Sequence, residues 1–186
     1  MKENRTFEKI NFSANELPDM EFEECTFINC EFGEHCISNI TFRECTFEDC
    51  NFGEALLNNT VFNDIQFINC KMLGLDFSVC NTILLTLHFS GCNLSFSSFY
   101  LLRLKGSVFR NCMLESVDFT QSDLTSALFD DSNLKRAIFE DTILDKVDFR
   151  TAQNFNIDPQ KNRLKKTKFS QIGIQGLLTN YDIIIE

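Results

Sequence analysis

The chain of 186 residues has no tryptophan, two prolines, seven glycines and only two histidines. No stretch approaches the roughly 18 consecutive apolar residues of a membrane-spanning helix. The chain opens without a basic, apolar, small-residue leader, so a cytoplasmic protein bound to no membrane is expected. No glycine-rich segment has the form that cradles phosphate, and no basic groove interleaved with aromatics suggests direct nucleic-acid binding. His35 and His88 have no triad or metal partners in sequence, so neither catalysis nor a cofactor is expected. His35 reads as a core histidine.

What is abundant is phenylalanine, 21 residues of it, and nine cysteines. Phe7, Phe12, Leu17, Phe22, Phe27, Phe32, Ile37, Phe42, Phe47, Phe52, Leu57, Phe62, Phe67, Met72 and Phe77 lie five apart without a gap. The spacing then slips by two residues near 80–83. It resumes at Leu84, from which leucine and phenylalanine alternate every five residues to Phe149. All 29 positions are apolar. A period of five suits neither a helix, which needs 3.6, nor a strand, which needs two. The chain must instead turn once per five residues and point one large side chain at a common axis, which is a solenoid.

Two residues before each such centre stands a small residue: Cys25, Cys30, Cys45, Cys50, Cys70, Cys92 and Cys112, and later Ser97, Ser122, Ala127 and Val147. The other three positions are mainly polar. A second period fixes the number of sides. The non-phenylalanine centres Leu17, Ile37 and Leu57 are 20 apart, as are Cys30, Cys50 and Cys70. Four pentapeptides therefore complete one turn, and like residues stack on like about 4.8 Å apart. The cysteines read as small inward-facing packing residues, with only Cys36 off the register. Their expected spacing permits a disulfide but aims the side chains poorly for one, and the CxxC spacing of zinc sites is missing.

The segments SDLTS (Ser122–Ser126), SNLKR (Ser132–Arg136) and VDFRT (Val147–Thr151) make the chain resemble the pentapeptide-repeat family. That resemblance implies an all-β fold, a right-handed quadrilateral β-helix of about seven coils. Residues 1–151 would form the solenoid and residues 152–186 a final irregular coil with a capping and dimerisation module. In the tail, Ile172, Ile174, Leu177, Leu178 and Tyr181 suggest a short helical cap, with Ile183, Ile184 and Ile185 as an extended strand. The apolar surplus of this tail, with Ile183 and Ile185 included, predicts a homodimer of two-fold symmetry.

The net charge of −10 is one-sided: residues 1–80 hold 15 Asp/Glu against 5 Lys/Arg, and residues 81–186 hold 12 of each. Glu21, Glu23, Glu24, Glu31, Glu34, Glu44, Glu48, Asp49 and Glu54 fall mostly on outward positions. They form either a solvating face or a surface for a basic partner. The tail resembles that of the bacterial Qnr and MfpA branch, acidic rods that mimic duplex DNA and bind type II topoisomerases. That resemblance implies DNA gyrase or topoisomerase IV as partner and a role in fluoroquinolone resistance. Phe96, Tyr100 and Leu101 also fall in outward registers, forming either a local cluster or an apolar site for another protein. A scaffold unrelated to topoisomerases is the alternative reading.

Overall fold

The computed structural model describes residues 1–12, 17–33, 37–181 and 183–184. Strands of two to four residues alternate with corners, and each pairs in parallel with the segment one turn further along. On the first face β1 (Lys2–Glu3), β3 (Glu21–Glu23), β5 (Thr41–Arg43) and β7 (Val61–Asn63) form one sheet in that order. On the second face β2 (Thr6–Glu8), β4 (Thr26–Ile28), β6 (Thr46–Glu48), β8 (Ile65–Ile68), β9 (Leu87–Ser90), β10 (Val108–Arg110) and β11 (Leu128–Asp130) form another. The third and fourth faces are ladders of single bridges, such as Asn11 to Glu31 to Asn51 and Ser98 to Asp118 to Ile138. Four parallel ladders with an offset of 20 make the coil square. The seven strands of the second face span six turns, against the about seven coils expected from repeat arithmetic, and bridges at Asp148 and Lys168 carry that face further.

Most of the described corners place one residue, two beyond the centre, in the left-handed region. Asn29, Asn39, Asp49, Asn69 and Asn111 have φ between 52° and 62° except Asn111 at 51°. Asparagine and aspartate tolerate that conformation because their short polar side chains bond locally. Other corners hold the same conformation with Glu24, Ser116, Arg136 or Lys146, so asparagine and aspartate favour the turn without being required at every corner.

The centres fill the axis. Phe47 and Phe67 are both fully buried, with ring centroids 5.1 Å apart and planes 16° from parallel. Phe27 stacks beneath Phe47 at 4.8 Å, and rings on adjacent faces meet edge-on, as Phe42 meets Phe47 at 5.3 Å. Stacking along a face and edge contacts around the corner are the two favoured aromatic geometries. Below the slip three faces carry phenylalanine. Above it the second and fourth faces do, while Leu104, Leu124 and Leu144 line the first and Leu94, Leu114 and Leu134 the third. Met72, buried between Phe52 and Leu94 in the third column, is the flexible residue at the changeover.

The inward cysteines are more than packing residues. Cys30, Cys50, Cys70 and Cys92 each aim a thiol at the carbonyl of the centre one coil below, at 3.3–3.4 Å (Phe7, Phe27, Phe47 and Phe67). Hydroxyls do the same elsewhere: Thr60 Oγ1 donates to Ile37 at 2.9 Å and Thr142 Oγ1 to Phe119 at 3.0 Å. Carbonyl oxygens inside the tube need donors, and small polarisable or hydroxylic residues supply them. Contact with the neighbouring thiols Cys50 and Cys92, together with burial, raises the Cys30, Cys70 and Cys112 thiols above their ordinary range. Burial pushes Cys45 and Cys80 up to about 12. All eight cysteines among the described residues are free and buried. Cys36 and His35 lie outside the described residues.

The slip differs from the sequence reading. Val61 still pairs with Asn81 at an offset of 20, whereas Phe67 pairs with Phe89 and Asp76 with Ser98 at an offset of 22. The two extra residues therefore enter between Asn81 and Leu87. Leu84, expected as the next inward centre, is 69% exposed with φ at 60°. A left-handed residue turns the chain there, so the neighbouring Leu85 packs against the core in its place.

The expected short helical cap is a 3-10 helix, Gly173–Leu177, lying on Phe155. Phe155 and Ile157 are buried, and Ile157 N–H donates to Gly176 C=O at 2.9 Å. The last coil returns to the ladder through Ile143 to Arg163 and Asp148 to Lys168. No helix among the described residues is long and apolar enough to cross a membrane.

Candidate interaction surfaces

Three surfaces follow from this frame. The first is acidic. Glu24, Glu44 and Asp64 occupy equivalent corner positions, one per coil, all exposed and all with φ between 50° and 55°. Each corner side chain stands off the tube because its backbone is left-handed. The three carboxylates therefore form a row at the strand spacing of about 4.8 Å. Asp49 and Glu54 project from two other corners, and Glu21 and Glu31 are exposed on the faces. Glu23 and Glu48 are half-buried. Glu34 lies outside the described residues.

Pairing separates the two halves of the rod. Past the slip, carboxylates meet cations of the next coil: Arg110–Asp130 at 3.1 Å, Lys135–Glu115 at 3.0 Å, Lys161–Glu140 at 3.0 Å and Arg163–Asp145 at 2.7 Å. Before it, Arg43 approaches Glu21 at 3.8 Å and Asn51 Nδ2 donates to Glu31 at 2.7 Å. Among the described residues no cation lies within ion-pair distance of Glu24, Glu44, Asp49 or Glu54. His88 Nε2 stands 3.8 Å from Asp64 Oδ1, a pair that reading the sequence did not find. Asp64 itself was missed as the third member of the row, although its spacing of 20 from Glu44 was available. The cross-coil ion pairs were also missed, and opposite charges about 20 apart are the signal for them.

These pairs make acid stability uneven. Hydrogen bonding to Arg163 holds the Asp145 carboxyl below its usual range, and hydrogen bonding to Arg150 does the same for Asp148. A depressed folded value gives stability that is present above the unfolded pKa of about 3.9 and is lost as pH falls through the folded one. The C-terminal coils are therefore expected to loosen as pH drops below about 4. Thermal melts from pH 7 to 3 check this, and Asp148→Asn should flatten the acid limb.

The second surface is apolar. Phe96, Tyr100 and Leu101 are all exposed. Phe96 and Leu101 hold left-handed corners at φ 64° and 61°, an uncommon conformation for bulky apolar residues. They sit at opposite ends of one side of the fourth face. Tyr100 and Leu101 therefore adjoin the slip, and Phe96 does not.

The third is the tail. Ile172 is 83% exposed, Ile174, Tyr181 and Ile183 are exposed, and Leu177 and Leu178 are half-buried. Ile184 is exposed as well, while Ile185 lies outside the described residues. Among the described residues no group of three or more His, Cys, Asp or Glu side chains could hold a metal ion.

The sequence pattern described as "Pentapeptide repeat region" matches residues 20–87 and 60–139. No curated protein matches the chain. Among solved structures, two trypsin-treated forms of QnrB1, described as a plasmid-mediated fluoroquinolone resistance protein, are similar in fold. One is 16% identical with a TM-score of 0.60, over 100% of this chain and 99% of that one. The other is 17% identical with a TM-score of 0.55, over 100% of both chains.

Proposed function

The chain belongs to the pentapeptide-repeat family, and from that premise we propose that it is a non-enzymatic binding rod. It forms a homodimer through Ile172, Ile174, Leu177, Leu178, Tyr181 and Ile183. It presents its acidic coils to the DNA-binding surface of a type II topoisomerase, gyrase or topoisomerase IV, in the manner of duplex DNA. The observation that supports this is the row of Glu24, Glu44 and Asp64, in which Glu24 and Glu44 have no cation within ion-pair distance among the described residues. Like charges so close repel one another, and a basic groove relieves that repulsion while steering encounter. The fold likeness to QnrB1 supports a role in fluoroquinolone resistance.

The test is a gyrase supercoiling assay with and without ciprofloxacin. The chain is expected to alter the activity, and Glu24→Lys with Glu44→Lys should weaken its effect at least about tenfold. No inhibition, no drug rescue and no pull-down of either topoisomerase would remove the reading. The dimer is tested separately by the mass in solution of a chain ending at Thr151. A well-folded truncation that remains dimeric rejects the tail interface.

The second reading is a scaffold for another protein. It is favoured by the one-sided acidity, which would leave a neutral middle in a tail-to-tail dimer, and by the exposed apolar residues beside the slip.

A further inference from the structure

In each regular ladder step the residue before a centre uses both backbone groups toward the coil beneath. Ser98 N–H donates to Leu75 C=O at 2.8 Å, and Ser98 C=O accepts from Phe77 N–H at 2.9 Å. On the first face the equivalent residue past the slip is Arg103, which bridges forward to Asp123 through its neighbours: Asp123 N–H donates to Leu102 C=O and Leu104 N–H to Asp123 C=O, both at 2.8 Å. Backward the ladder is broken. Among the described residues neither Arg103 N–H nor Arg103 C=O has a backbone hydrogen-bond partner, and nor does Lys105 C=O. The coil that should pair with them leaves the wall after Asn81 and rejoins only at Thr86, whose N–H reaches Phe62 C=O at a long 3.4 Å. The faces on either side stay continuous, through Ile65–Ile68 paired with Leu87–Ser90 and through Asp76 paired with Ser98. The result is a notch one strand long in the first face.

The rim of the notch is apolar. Ile83 and Leu84 are 70% and 69% exposed, and Val79, Tyr100 and Leu101 are exposed on the adjoining corner. The Arg103 side chain is exposed and has no carboxylate within ion-pair distance among the described residues, whereas Lys105 is paired with Asp123 at 3.2 Å. An apolar rim alone would not select an occupant. Here a free N–H and C=O on one residue, with a second C=O two residues on, is the edge pattern that another extended backbone satisfies. The unpaired guanidinium adds a requirement for negative charge.

We propose that this notch binds an extended segment of a protein partner. The segment adds one short strand to the Arg103 edge, lays a β-branched side chain on Leu84 and Leu101, and sets a carboxylate against the Arg103 guanidinium. The acidic row belongs to the N-terminal coils, so this site is independent of the topoisomerase reading.

Amide hydrogen exchange by NMR on the full chain tests it, with the blocked pentapeptide TVEIT as probe. In the free chain the Arg103 amide is expected to exchange about 100-fold faster than those of Ser98, Asp118 and Asp123. Saturating peptide should slow it at least about tenfold and shift the Leu84 and Leu101 resonances. Arg103→Ala, at unchanged melting temperature, should weaken the peptide about tenfold. The peptide TVKIT should bind more weakly than TVEIT. An Arg103 amide already protected in dilute free chain overturns the proposal, as does one that the peptide leaves unchanged. Equal binding of TVKIT overturns the carboxylate assignment. Protection that rises with protein concentration in the absence of peptide assigns the notch to a second copy and overturns the partner segment.

Discussion

Phe47→Ala is expected to destabilise the rod by about 3–5 kcal/mol, the cost of emptying a ring-sized volume from a close-packed core. The site has little room to collapse. Its ring lies between Phe27 at 4.8 Å and Phe67 at 5.1 Å, with Phe42 and Phe52 edge-on at 5.3 Å on each side. Each of those neighbours is held by its own strand pairing and cannot slide inward. Phe47→Leu should cost far less, under about 1.5 kcal/mol, because a branched apolar residue retains most of the filling. Leucine already serves as a centre at Leu104, Leu124 and Leu144. Because each coil touches only its neighbours, the loss should be local. In urea melts followed by circular dichroism, the alanine variant should unfold its N-terminal coils first while the C-terminal coils persist. A loss below about 1 kcal/mol would mean that the ring column does not carry the fold.

The same column explains how much of the fold is legible in the chain. A centre every fifth residue is legible because only a large apolar side chain fills the axis, and the spacing of 20 is legible because cysteine stacks on cysteine and Glu24 on Glu44. The slip was legible as an event but not in detail. Leu84 and Leu85 are chemically identical, and what separates them is the left-handed corner at Leu84, a backbone property that no side chain announces. The thiols read as inert filling because their role as donors appears only when a carbonyl one coil below comes into reach, at 3.4 Å for Cys50 and Phe27. The acidic residues were legible as a population. Which of them lack a cation depended on where Arg43 falls in the stack, 3.8 Å from Glu21. The notch at Arg103 could not be read at all, since it consists of backbone groups without partners.

The glycines of the tail serve a contact that helix propensity does not describe. Gly173 and Gly176 argue against a helix by propensity, and the observed turn is indeed 3-10. Their use, however, is close approach. A Cβ on Gly176 would stand 2.5 Å from the Phe155 carbonyl oxygen and 2.7 Å from its ring, and one on Gly173 would stand 3.2 Å from the same ring. Gly176→Ala is therefore expected to lift the turn off Phe155 and to break the bond from Ile157 N–H to Gly176 C=O. Overpacking of this kind costs about 1–3 kcal/mol. Neither obstacle is the free end of a flexible side chain: the carbonyl is backbone, and the ring is buried against Phe149 and Phe169 at 5.5 and 5.6 Å. Gly173→Ala, with its wider clearance, should be milder. The readout that separates cap from dimer is mass in solution beside thermal unfolding. If the tail orients Ile172 and Ile174 for a second copy, Gly176→Ala should weaken dimerisation at concentrations where the fold is intact. Ile172→Asp should do so without lowering the melting temperature of the monomer. A Gly176→Ala chain as stable and as dimeric as the original would show that the turn does not depend on its contact with Phe155.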